Sequence, residues 1–283
     1  SITLDDSGAG GSQLTLGAPQ AAASLTGASS SQIKLNGNTL TVSNSSGTTT
    51  FAGVISGTGG LTKDGASTQI VSGANTYSGS TLVNGGTLTL AAGSGSALGS
   101  TTNVTVNSGG TVLLGGSDQI NNTATMALAG GTFAKGNFSE GSASAPGLGA
   151  LTLTASGSHL DFGTGTVGVL NFASFTPGSF TLTIDNWTGN LNTVGSGSTD
   201  RLIFAADQSG NLNSFSFTGY APGATEFDLH NGYWEVTPLA AVPETSTWVA
   251  AALALGAVTF HFVRRRRALV TVRSPKSPGN FPK

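Results

Sequence analysis

Gly59-Gly-Leu-Thr-Lys-Asp-Gly-Ala-Ser-Thr-Gln-Ile-Val-Ser-Gly-Ala-Asn-Thr-Tyr-Ser-Gly-Ser-Thr-Leu-Val-Asn-Gly-Gly-Thr-Leu-Thr-Leu90 is a run of short strands separated by glycine corners. The strands read as Leu61–Lys63, Thr68–Val71, Thr81–Val83 and Thr87–Leu90. Each alternates apolar and polar residues, which places one set of side chains on each face of an extended chain. Asp64-Gly65, the stretch Asn75 to Gly79, and Asn84-Gly85-Gly86 lie between them and supply the conformations that sharp corners need.

The same pattern continues on both sides. Gln32 to Val42, Asn103 to Leu114 and Met126 to Phe133 each repeat strand, turn, strand. Repeated strands at short intervals predict an all-β fold, a parallel β-helix or related solenoid. Its inward Leu, Val and Ile form one apolar column, and its outward positions are Ser, Thr and Asn. The same alternation also admits an antiparallel sandwich. The 59–90 stretch resembles the autotransporter-associated β-strand repeat found in passenger regions of bacterial surface proteins. The likeness is carried by its Gly-Gly-Leu-Thr-Lys start, its Gly73 to Gly79 corner and its Val83 to Leu88 end. That resemblance implies an exported surface protein.

Composition supports a folded, weakly ionic chain. Only 8% of the 283 residues are charged, 37% are hydrophobic, and 43 are glycine. Disorder goes with high net charge and few apolar residues, and neither holds here. Residues 1–240 carry four basic residues against twelve acidic ones, whereas 245–283 carry seven basic residues and no acid. The acidic body has no clustered Lys and Arg, so nucleic acid is not an expected partner. With no cysteine in the chain, disulfides, thiolate metal sites and cysteine catalysis are excluded.

The expected organisation is a solenoid over 1–149, then a phenylalanine-rich β region over 150–240 that caps it. Ten of the 14 Phe lie between residues 162 and 262. A cap is needed because a bare terminal coil offers unpaired strand edges.

The C-terminus carries an address. Val242-Pro243-Glu244-Thr245-Ser246-Thr247 is followed by Trp248, an uncharged segment 246–263, and Arg264-Arg265-Arg266-Arg267. As a helix these 18 residues would span about 27 Å, close to the hydrocarbon thickness of a bilayer. The arginines would stay on the cytoplasmic side, and Trp248 suits the outer interface. The whole of 241–267 resembles the PEP-CTERM sorting signal of exosortase substrates, with Thr245 at the family's second proline. The resemblance implies an exosortase-type protease as partner, a transient membrane span and release to the cell surface or matrix. A plain single-pass anchor is the other reading. Residues 268–283 are expected to be a disordered cytoplasmic tail, and an export signal is expected upstream, since the address acts only after translocation.

Candidate chemistry is sparse. A catalytic β-helix needs convergent carboxylates, for which Asp161, Asp185 and Asp200 are the candidates; near strand ends such residues also serve as turn caps. His159 and His230 lack metal-ligand spacing, and no cofactor motif appears. Trp187 and Trp234 are expected to pack in the cap rather than to stack on sugar. The reading reached is a non-enzymatic structural or adhesive surface protein with extracellular polysaccharide as a possible partner. A β-helix carbohydrate-active enzyme is the alternative.

Overall fold

The computed structural model describes residues 1–4, 11–93, 95–165 and 167–240. Alternation becomes burial directly. In Gly86–Leu90 the side chains of Leu88 and Leu90 are buried, and Thr87 and Thr89 face outward, half-exposed. The four strands expected within the 59–90 stretch form as Leu61–Lys63, Thr68–Val71, Thr81–Val83 and Gly86–Leu90.

Apart from two antiparallel pairs, Gly141–Ser142 with Ala145–Pro146 and Ala224–Asp228 with Trp234–Pro238, the described strands do not pair with their chain neighbours. Thr68–Val71 lies parallel to Gly86–Leu90 with Thr68 opposite Thr87, and the chain reaches the second sheet between them. This parallel pairing makes a solenoid and excludes the antiparallel sandwich. A first sheet of ten strands and a second of eleven run the length of the stack. A third, of three strands (Gln13–Thr15, Gln32–Lys34 and Val54–Ser56), covers only the N-terminal coils.

The core is a set of columns. In the first sheet Gln69, Leu88, Val112, Phe133, Leu160, Ile184 and Phe217 stand in register, one per coil. In the second, Leu40, Leu61, Thr81, Val104, Met126, Leu151 and Phe175 do the same. Successive strands stack about 4.8 Å apart, so each inward residue packs on the one above and below. The larger side chains of the C-terminal coils fill a wider interior. Phe172 stacks on Phe204 at 5.9 Å, and Trp187 meets Phe162 and Phe217 edge-on, each at 5.0 Å.

Among the described residues the third sheet ends at Val54–Ser56; beyond it scattered backbone bonds, such as Thr76 to Ile55 and the Leu98–Ile120 bridge, are supplemented by buried polar side chains. Asn75 accepts from the Ile55 amide at 2.7 Å and donates to the Ala97 carbonyl at 2.8 Å. Gln119 Oε1 accepts from the Ala92 amide at 2.7 Å, and the Gln119 backbone N–H donates to Glu140 Oε1 at 2.6 Å. Buried backbone groups must be paired, so where ladder bonds are incomplete amide and carboxyl side chains take their place.

The parallel order continues past Gly149 to Arg201–Phe204 in the second sheet and Phe215–Phe217 in the first. An antiparallel pair then closes the second sheet: Trp234–Pro238 on Arg201–Phe204, with Ala224–Asp228 outermost. A 3-10 turn, Ser209–Ser214, is the single helical segment among the described residues. No helix among them is long and apolar enough to cross a membrane. The segment 246–263 expected to do so lies outside the described residues.

Candidate functional site

The outer surface of the first sheet carries a threonine row. Thr48, Thr68, Thr87, Thr111 and Thr132 occupy equivalent positions on five adjacent strands, and all are exposed or half-exposed. Period-two alternation sets their direction, and the parallel register aligns them. The next row, two residues on, is Thr50, Ile70, Thr89 and Leu113, all exposed or half-exposed, and then Ala134, which is buried. Across five coils the face therefore offers hydroxyls, methyls and short aliphatic groups at a regular spacing, with no charge. It then changes character: His159 follows Thr132 in the first row, and Asp161 follows Ala134 in the second.

At the corner after the first sheet a groove of about 510 Å³ opens between Ala91–Ser96 and Gly115–Gln119. A second cavity of about 340 Å³, lined by Asn122, Gly141 and Pro146 among others, shares Ser96 and Asp118 with it. Asp118 sits in the left-handed region at φ 53°, where aspartate is one of the few non-glycine residues tolerated. Its Oδ1 accepts from the Gly141 amide at 3.0 Å. Glu140 lies nearby, fully buried, with Oε1 bonded to Gln119 and no partner for Oε2. Burial, reinforced by the Asp118 charge, pushes its carboxyl up to about 9, so it is a neutral acid at pH 7.

The three candidate carboxylates do not converge. Asp161 and Asp185 are opposite one another on adjacent strands. Asp185 Oδ2 is 2.6 Å from His159 Nδ1, and its Oδ1 accepts from Thr218 at 2.6 Å. Asp161 accepts from the Gly163 amide at 2.8 Å and from Asn186 at 2.7 Å. Asp200 is fully buried elsewhere, 3.2 Å from Lys135 Nζ. It accepts from the Gly168 amide at 3.0 Å and from the Thr188 hydroxyl at 2.5 Å, so it is a cross-coil clamp. His230 is exposed beside Asp228. Trp187 is buried in the core, and Trp234 is half-buried on the closing strand. Among the described residues no group of three or more His, Asp or Glu is placed to hold a metal ion.

Val242 to Thr247, Trp248 and Arg264 to Arg267 lie outside the described residues.

Sequence reading missed the buried ions. Lys63 stands in an apolar column between Val42 and Val83, and its ammonium donates to the carbonyls of Asp64, Gly65 and Gly85 at 2.7, 2.9 and 3.2 Å. Its place two residues after Leu61, on the inward phase, was the available signal. Nothing local distinguished Lys135 or Glu140. On the closing strands, burial with help from Asp207 and Asp228 raises Glu226 to about 7.

A family model described as passenger-associated-transport-repeat matches residues 61–90. No curated protein and no solved structure matches the chain. The matched segment spans Leu61–Lys63 through Gly86–Leu90, the coils from which the threonine row and the regular core columns run in both directions.

Proposed function

We propose that this protein is an exported, non-enzymatic structural or adhesive component of a cell surface or extracellular matrix. Its C-terminal signal would be read by an exosortase-type protease after transient insertion of 246–263 in the membrane. The observation that carries this reading is the uncharged threonine row, which repeats once per coil over five coils. Such a face suits a hydrated polymer with its own repeat, bound through many weak contacts. The transport-repeat match at 61–90 supports an exported protein. The test is retention of the purified full chain on columns of extracellular polysaccharides; passage through all of them unretarded would remove the adhesive role. Intact-mass measurement of the protein recovered from its native cells tests the sorting step, which predicts loss of the residues after about Glu244.

A second reading, a carbohydrate-active enzyme, draws on the pairing of Asp161 with Asp185 and of Asp185 with His159. It ranks second because each carboxylate is already held by fixed donors from its own turn or a neighbouring strand. Release of reducing ends from a matrix polysaccharide, abolished by Asp185→Asn, would reverse that order.

A further inference from the structure

We propose that the corner groove at Ala92, Gly93, Ser96, Gly116, Ser117 and Asp118 is a binding site for a neutral glycan chain laid along the stacking direction of the coils. The proposal rests on the matrix reading above and adds a discrete site to it, separate from the threonine row.

The shape comes first. The groove and its neighbouring cavity share Ser96 and Asp118, and their walls come from three successive corners, at 91–93 with 95–96, at 115–119, and at 141–142 with 145–146. A ligand filling both therefore crosses coils, as a linear polymer would. Volumes of about 510 and 340 Å³ are in the range of small-ligand sites. Gly93 leaves its side open, since a Cβ there would meet nothing within 4 Å.

The chemistry narrows the class. Among the described residues Asp118 is the single charged one lining the two cavities. Its Oδ1 is already engaged with Gly141, which leaves Oδ2 to accept from hydroxyls. The Ser117 hydroxyl accepts from the Ser139 amide at 3.2 Å and keeps its own proton to donate. No described Lys or Arg lines either cavity, so an acidic glycan would face an uncompensated carboxylate. No described aromatic or long aliphatic side chain lines them, which disfavours a flat apolar ligand. Among the described residues a metal ion would find one carboxylate here and no group of three ligands. An added peptide strand needs free backbone groups, and the amide and carbonyl of Ala92 are both taken by the Gln119 side chain. A neutral, hydroxyl-rich chain with aliphatic ring faces is what remains, with Ala91, Ala92 and Pro146 as its apolar contacts.

The test titrates the full chain with short neutral glucan and mannan oligomers, and with oligogalacturonate as the acidic counterpart. A neutral oligomer is expected to bind, and oligogalacturonate at least tenfold more weakly. Gly93→Leu should fill the groove and weaken binding at least tenfold without loss of folding. Asp118→Asn keeps the acceptor for Gly141 and a side chain tolerated at φ 53°, and should weaken binding by a similar factor. Gly17→Leu, equally free of neighbours, is the control and should bind as the parent does. Binding unchanged by Gly93→Leu, or equal binding of oligogalacturonate, overturns the proposal. The two readings fail separately. A chain retained on matrix polymer that binds no neutral oligomer loses the groove alone. One that binds the oligomer in the groove but is retained on no matrix polymer loses the adhesive role alone.

Discussion

Lys135 Nζ and Asp200 Oδ1 stand 3.2 Å apart with both side chains buried, joining residues 65 positions apart in sequence. Asp200 also accepts from the amides of Gly168 and Thr188, at 3.0 and 3.1 Å, so four segments of chain converge on one carboxylate. Removing one member of a buried pair strands the other charge and costs about 3–5 kcal/mol, whereas replacing both with apolar groups costs far less. Asp200→Leu should therefore lower the urea midpoint sharply. Lys135→Met combined with Asp200→Leu should recover part of that loss, leaving the Gly168 and Thr188 donors still unpaired. A double variant no more stable than Asp200→Leu would contradict the ion-pair account.

Glu140 makes folding depend on pH. Burial pushes its carboxyl up to about 9 in the folded chain, well above the ordinary 4.5 of a glutamate. The folded state thus holds a proton that the unfolded state releases. Its contribution is fully present below pH 4.5 and is lost as pH rises towards 9. The slope is about 1.4 kcal/mol per pH unit in that window. Glu140→Gln keeps an acceptor for the Gln119 amide and cannot ionise. Urea unfolding at pH 5, 7 and 9 should show the variant gaining on the parent as pH rises. Parallel profiles would mean that this carboxyl is not buried as described.

Lys63 bonds three carbonyls within a column of valines. Burial lowers its ammonium below the usual lysine range, partly countered by Asp64. Lys63→Met suits the apolar column yet leaves those carbonyls without their donor, at about 1–3 kcal/mol for each one left buried and unsatisfied. Thermal unfolding should give a lower midpoint for Lys63→Met. An unchanged midpoint would indicate that water replaces the ammonium.

Two glycines should respond in opposite ways. A Cβ on Gly73 would lie 1.9 Å from the Gly53 carbonyl oxygen of the coil below, whereas one on Gly93 meets nothing. Gly73→Ala must push two coils apart, at about 1–3 kcal/mol or more. Gly93→Ala should be neutral or slightly stabilising through the unfolded chain. Denaturant midpoints of the two variants decide this, and equal values would count against the tight stacking of that corner.

The threonine row should contribute to retention, not to folding. Thr87→Val with Thr111→Val removes two hydroxyls and keeps β-branched side chains suited to a strand. Stability should change by less than about 0.5 kcal/mol per site, while retention on a bound matrix polysaccharide falls several-fold. Thr105→Val, outward on the second sheet, serves as the comparison and should leave retention alone.

Much of this was legible in the chain. Thr87-Leu-Thr-Leu90 states in four letters which side chains go in and which go out, because period-two alternation is a property of extended backbone. The glycines at 65 and 86, both at positive φ, mark corners for the same local reason. Spacing of the strands favoured coils over hairpins, and the absence of cysteine excluded disulfide and thiolate chemistry. Pairing partners were another matter. That Thr68 stands beside Thr87 and not beside Thr81, that Lys135 meets Asp200, and that Asp118 opens onto a groove follow from how the coils stack. The steps from Thr68 to Thr87, Thr87 to Thr111 and Thr111 to Thr132 differ in length yet keep one register, so the corners absorb the extra residues and the ladders with their inward side chains set the pairing. Alternation is local and can be read from a few residues. Register joins residues distant in sequence, and only the packed stack fixes it.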